Sequence, residues 1–170
     1  MAKLLYGFSC SLDGFIAGPG GDMSWLTPYL GPDPVVDELI PEIGALLVGR
    51  RTYDGDDPHR GTEAEGKAFG GGWEGPQFVL THRPAPPAPD VTFVGDLAEA
   101  VDKAKRAAGE KYVNVLGADV ARQCLDAGVL DEILAMPVPV LLGDGVRMFD
   151  RPGGKPVGLE VVEPNRYRVV

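Results

Sequence analysis

The feature that most constrains this chain is an alternation. Short apolar runs, each closed by a glycine or a polar turn, take turns with amphipathic helical segments. Residues 4–11, 45–48, 77–81, 91–94, 112–116 and 132–136 read as strands, with 15–17 as a brief extension after the Asp13-Gly14 break. Between them, Asp33-Pro34 opens a helix whose apolar face is Val35, Val36, Leu39 and Ile40. Pro41 should end it, since proline lacks the N–H and crowds the preceding turn. The clearest helix starts at Asp96, where Asp96 and Glu99 resemble a capping box and Leu97, Ala100, Val101 and Ala104 share a face. Glu99–Lys103 and Asp102–Arg106 add favourable i,i+4 pairs, and Gly109 is a suitable cap. A third helix follows Gly117-Ala118-Asp119, carries Val120, Ala121, Cys124 and Leu125, and closes at Gly128. Strand–helix–strand order predicts parallel pairing, because parallel neighbours need a crossover between them.

The C-terminal third departs from that rhythm. Residues 140–142 read as a strand ending in the turn Gly143-Asp144-Gly145, and Pro137 and Pro139 should limit pairing just before it. Residues 157–162 and 166–170 alternate with period two around Glu163-Pro164-Asn165, as a terminal antiparallel hairpin would. The expected fold is therefore α/β, with a mostly parallel central sheet flanked by helices and an antiparallel hairpin on its edge. With 170 residues, one domain over 1–170 is expected. The 24 glycines and 16 prolines approach a low-complexity composition, but the apolar runs make them punctuation between many short elements.

A net charge of −9 disfavours general nucleic-acid or anionic-membrane binding, though not an anionic small ligand held by local arginines. No run approaches the roughly 18 apolar residues of a membrane span. Cys10 and Cys124 stand alone, which fits a reducing cytosol. Met1–Tyr6 lacks the apolar core and cleavage site of a signal peptide, so a cytoplasmic protein is expected. Two histidines and no HExxH or cysteine cluster argue against a metal site. GxSxG and Walker A motifs are absent.

In a parallel sheet, ligands bind beyond the carboxyl ends of the strands. That rule selects the loops at 11–14, 49–52, 81–83 and 117–119. Gly49-Arg50-Arg51-Thr52 combines close backbone approach, bidentate guanidinium donors and a hydroxyl at a helix start, which suits phosphate; it could also be a solvated arginine pair. Thr81-His82-Arg83 suits a phosphate monoester such as a 2′-phosphate, or is an ordinary polar strand end. Gly117-Ala118-Asp119-Val120 can turn backbone N–H groups toward a pyrophosphate, or is a tight turn with Asp119 as N-cap. Asp13, Asp22, Asp33 and Asp37 lie near the first two loops, where any could move a proton or merely cap and solvate. Trp25 suits either a pocket wall or plain packing.

Taken in order, these segments resemble the dihydrofolate reductase-like superfamily and, within it, the RibD C-terminal domain family of riboflavin-biosynthesis reductases. The matching stretches are SLDGFIA from Ser11 to Ala17, GDMSWL from Gly21 to Leu26, LLVGRRTY from Leu46 to Tyr53 and VLTHRP from Val79 to Pro84. LGADVARQ from Leu116 to Gln123 continues the match, then Gly128, Asp131-Glu132, PVLLGDG from Pro139 to Gly145, and Phe149. The resemblance implies an NADPH-dependent reductase of a small heterocyclic or ribosylaminopyrimidine-like substrate. By motif position, Ile16 and Ala17 would lie beside the nicotinamide, and Gly49, Arg50, Arg51 and Thr52 would hold phosphates. Thr81, His82 and Arg83 would hold the adenosine end, and Gly117, Ala118, Asp119 and Val120 the pyrophosphate. Where the family has two consecutive glycines, this chain has Leu116-Gly117. Asp33 falls near the acid that true dihydrofolate reductases carry on the first helix, but it also fits a plain N-cap. Dihydrofolate reduction itself and a non-catalytic NADPH-binding module are the competing functions. The resemblance also implies a homodimer.

Overall fold

The computed structural model describes all 170 residues. Ten strands and four α-helices follow one another as β1 (Leu4–Ser11), β2 (Phe15–Ala17), α1 (Pro34–Leu39), β3 (Ile43–Gly49), α2 (Arg50–Tyr53), β4 (Gln77–Leu80) and β5 (Val91–Val94). Then come α3 (Leu97–Ala108), β6 (Tyr112–Leu116), α4 (Ala118–Asp126), β7 (Glu132–Val138), β8 (Val146–Arg147), β9 (Leu159–Glu163) and β10 (Arg166–Val169). Eight strands form one sheet in the order β5-β4-β3-β6-β1-β7-β10-β9. The first six are parallel, and the β9–β10 hairpin adds antiparallel to β7.

Both faces of the parallel part are buried, and period-two geometry divides the side chains between them. Leu4, Tyr6, Phe8 and Cys10 of β1 face one way, with Ala45, Leu47, Val113 and Val115. There they meet Ala100, Val101 and Ala104 of α3 and Val120, Ala121 and Cys124 of α4. Leu5, Leu46, Val48 and Val79 face the other way, against Leu39 of α1 and Trp73. The Trp73 indole N–H donates to the Ile43 carbonyl at 2.9 Å and fixes the long 54–76 connection to the sheet. Each fully buried aliphatic side chain contributes roughly 1.5–3 kcal/mol. The anticipated caps form as read: Asp33 accepts from the Val35 N–H and Asp96 from the Glu99 N–H, each at 2.9 Å.

Two expectations need correction. Residues 140–142 are not a strand, because the Val140 N–H turns back to the Val138 carbonyl at 2.8 Å and the next donors, at 142 and 143, are claimed by a side chain. The N–H groups of Leu142 and Gly143 donate to the Asp13 carboxylate at 3.1 and 2.8 Å. The two-residue strand β8 lies further on and pairs with β2. The prolines also limit β7 less than expected. It runs through Pro137 to Val138 beside β1, while β10 reaches only Leu134, so Pro137 lies past the last strand on that side. No helix is long and apolar enough to cross a membrane.

Candidate functional site: three loops at the carboxyl edge of the sheet

Parallel pairing brings the selected loops together. Gly49 at the end of β3 lies beside Leu80 at the end of β4, and Val48 beside Leu116 at the end of β6. The segments after β3, β4 and β6 therefore emerge side by side. Arg50 ties the first two: its Nη1 donates to Thr81 Oγ1 and to the Arg83 carbonyl, both at 3.3 Å. The Thr81 N–H donates to the Val94 carbonyl at 2.9 Å, and His82 stands exposed beside Gly95.

The third loop closes on the first through Gly117. This residue has φ 111° and ψ 137°, and a Cβ there would sit 2.6 Å from Thr52 Oγ1. The backbone thus passes within touching distance of the Thr52 hydroxyl in a conformation open only to glycine. Gly117 is itself the N-cap of α4, and no side chain caps this helix. Asp119 is not the N-cap. It lies in the first turn, and its carboxylate turns back along the helix to Arg122 at 2.9 Å and Gln123 at 2.8 Å. The hydrogen bond from Arg122 chiefly holds its pKa below the ordinary value, and the Arg51 charge adds to this. Asp119 offers the site its backbone N–H, as do Ala118 and Val120, since the first N–H groups of a helix have no partner within it.

These features fit a pyrophosphate-bridged dinucleotide. A glycine-lined cradle and an uncapped helix start meet here, and the exposed, unpaired guanidinium of Arg51 is near enough for its charge to act on Asp119 in the first turn of α4. Thr81, His82, Arg83 and Arg50 extend the site along the sheet edge.

Ile16 and Ala17 leave from the end of β1, the strand next to β6. Their strand is held by β8 and by Gly145, whose added Cβ would lie 2.1 Å from the Ala17 carbonyl oxygen. Asp13 locks the same corner, accepting from Ser11 Oγ at 2.6 Å as well as from residues 142 and 143. The Ser11 hydroxyl, aided by the Gly143 and Leu142 N–H groups, lowers its pKa to about 2 against the opposing pull of desolvation. Asp13 therefore stays ionised near neutral pH and acts as a clamp, not a proton donor. Asp22 is likewise engaged, with Ser24 N–H and Oγ.

On the other side of the sheet, Asp33 opens α1 and Trp25 lies in the 3-10 turn Ser24–Tyr29. Asp33 takes one hydrogen bond, from Val35, and its second oxygen has no protein partner. The Trp25 indole N–H is buried without a partner. Thr27 Oγ1 donates to the Pro58 carbonyl at 2.7 Å and the Met23 N–H to Asp56 at 3.0 Å, so the 54–76 connection walls this side.

Sequence reasoning missed Asp54. It sits four residues after Arg50, the spacing of a helical ion pair, and accepts from Arg50 Nε at 2.7 Å.

Comparisons agree with this architecture. The putative riboflavin biosynthesis protein of Shewanella sp. PV-4 superposes with a TM-score of 0.70 at 23% identity, over 99% of this chain and 97% of that one. The Thermotoga maritima diaminohydroxyphosphoribosylaminopyrimidine deaminase/5-amino-6-(5-phosphoribosylamino)uracil reductase gives 0.60 at 22% identity, over 99% of this chain and 55% of that one. Dihydrofolate reductase from Enterococcus faecalis, complexed with NADP(H), gives 0.56 at 17% identity, over 98% and 94%. In sequence, the Bacillus subtilis uncharacterized protein YyaP is 24% identical over 156 residues, 86% of this chain and 80% of that one. The fold is thus the dihydrofolate reductase-like α/β fold. With the RibD C-terminal domain profile matching residues 2–167, the chain belongs to the RibD C-terminal domain family.

Proposed function

We propose that this protein is an NADPH-dependent reductase of a small heterocyclic substrate, with a 5-amino-6-(5-phosphoribosylamino)uracil-like compound as the first candidate. The observation that carries this reading is the cradle at Gly117, where an uncapped helix start and the Gly49–Thr52 loop meet at the edge of parallel strands. Bound NADPH would supply a hydride to a C=N or C=O group of the substrate. The chain's own residues bind and orient. Gly117 and the first N–H groups of α4 hold the pyrophosphate with Arg51 and Thr52. Arg50, Thr81, His82 and Arg83 hold the adenosine end. Ile16 and Ala17 line the nicotinamide side, kept in place by Gly145 and the Asp13 clamp. The test is to incubate the protein with NADPH and reducible heterocycles and follow the absorbance of the reduced nicotinamide. Substrate-dependent loss is expected. Binding of NADPH with no turnover of any candidate would count against the reductase and favour a non-catalytic binding module.

One observation favours a second reading, dihydrofolate reduction. Asp33 opens α1 with a carboxylate oxygen that takes no hydrogen bond from the protein. If that carboxyl moves the proton, Asp33→Asn lowers the rate by about 10²–10⁴. Asparagine caps as well as aspartate, so the melting temperature should hold. Unchanged turnover of dihydrofolate in this variant would remove Asp33 from the mechanism.

A further inference from the structure

The adenosine end of the candidate site already contains an anion. Asp54 Oδ2 lies 2.7 Å from Arg50 Nε and 3.5 Å from Arg83 Nη2. The two guanidinium groups facing this end therefore share one carboxylate. Arg50 also donates to Thr81 Oγ1 and the Arg83 carbonyl, and the Arg83 backbone N–H donates to Thr81 Oγ1 at 3.1 Å. The Arg83 guanidinium itself is 65% exposed and touches Asp54 alone. The bridge joins the loops after β3 and β4, whose register sets Gly49 beside Leu80. Arg51, one residue along, makes no such pair and stays exposed.

We propose that Asp54 sets cofactor specificity: its carboxylate occupies the position between Arg50 and Arg83 that a ribose 2′-phosphate would take. This inference rests on the dinucleotide reading given above. With Asp54 ionised, the three side chains carry a net charge of one; without it they carry two. The whole chain has a net charge of −9, so local compensation decides whether an extra phosphate is welcome here. A carboxylate accepts a hydrogen bond from a free ribose 2′-hydroxyl and repels a 2′-phosphate, whereas arginine favours the phosphate. The site holds both kinds of group in contact. A dinucleotide with a 2′-phosphate must displace Asp54 from its two partners, and one with a free 2′-hydroxyl need not. Asp54 thereby narrows the advantage that the arginines give to the phosphorylated cofactor.

The alternative role for Asp54 is a brace that holds Arg50 and Arg83 ready for phosphate. The two roles predict opposite signs. The experiment is calorimetric titration of the wild type and Asp54→Asn with adenosine 2′,5′-bisphosphate and with adenosine 5′-monophosphate. These fragments report the adenosine end alone and need no turnover. Asp54 is 44% exposed and its ion pairs lie at the surface, so the variant should fold and melt within a few degrees of the wild type. Affinity for the bisphosphate should rise about tenfold, a change of about 1.4 kcal/mol, with the monophosphate altered less than twofold. Weaker or unchanged bisphosphate binding, or an equal gain for both nucleotides, overturns the proposal while leaving the dinucleotide reading intact. If neither nucleotide binds either protein, both fall together.

Discussion

Gly117→Ala is expected to cost the protein both its nucleotide and several degrees of thermal stability. Two effects act at this position. At φ 111° and ψ 137° an L side chain meets its own backbone, a strain of about 1–3 kcal/mol. The added Cβ would also lie 2.6 Å from Thr52 Oγ1. Turning the Thr52 side chain relieves the clash but takes the hydroxyl out of the cradle. The backbone strain is relieved only by moving the start of α4, which carries away with it the N–H groups proposed to hold the pyrophosphate. At roughly 2–4 °C per kcal/mol for a chain of this size, the melting temperature should fall by about 2–12 °C. NADPH binding should weaken at least tenfold. Gly49→Ala is the control. Gly49 has φ −71°, and its added Cβ would rest 3.6 Å from Val120 Cγ1, an ordinary contact. Wild-type stability and NADPH affinity in Gly117→Ala would show that the loops tolerate repacking, and a loss in Gly49→Ala as large as in Gly117→Ala would show that the Gly117 conformation is not the determinant.

Much of this arrangement is legible in the chain because local and global signals agree. The α3 helix has its cap, its apolar face and its closing glycine within fourteen residues, and it forms as read. The strands of the parallel sheet declare themselves as continuous apolar runs because both faces are buried. The three phosphate-suited loops follow from the rule that such sheets bind at their carboxyl edge. What escapes is whatever depends on distant partners. The segment at 140–142 looks like a strand, yet Asp13, some 130 positions earlier, claims the backbone donors at 142 and 143. β8 has two residues and no pattern of its own; it exists because β2 is there to pair with it. Asp54 was visible as an i,i+4 partner of Arg50, but its contact with Arg83 requires the parallel register of β3 and β4. Glu132 opens a strand between Asp131 and Ile133, and nothing local in the sequence marks it as buried. It is one of the few buried polar residues.

That glutamate carries the second large expectation, at the end of the sheet away from the candidate site. Its carboxylate, 4% exposed, accepts from Arg166 Nε at 2.9 Å, Lys3 Nζ at 3.1 Å and the Tyr112 hydroxyl at 3.2 Å. Arg166 also donates to that hydroxyl at 2.7 Å and lies over the Tyr112 ring. Four elements, β7, β10, β6 and the chain start before β1, thus meet on one buried charge. Burial alone would raise the Glu132 pKa. The hydrogen bonds and charges of Lys3 and Arg166 outweigh it and hold the group below its ordinary 4.5. A lowered folded pKa means that this stabilisation is present above about pH 4.5 and fades as the pH falls through the folded value. Glu132→Ala removes the buried anion from between Lys3, Arg166 and Tyr112 and leaves Arg166 only the more exposed Glu163 carboxylate, at 3.1 Å. Removing one partner of a buried pair costs about 3–5 kcal/mol, and the half-exposed Lys3 places this case near about 3. The melting temperature should drop by roughly 6–12 °C, and Glu132→Gln should flatten the acid side of the stability profile. A loss under about 1 kcal/mol would mean that Arg166 and Lys3 recover their hydration freely and that the cluster does not fasten the hairpin. Nucleotide affinity should be untouched in either variant, since no residue of this cluster lies in the loops after β3, β4 or β6. The same protein would then separate two determinants: Gly117 lowers both binding and stability, and Glu132 lowers stability alone.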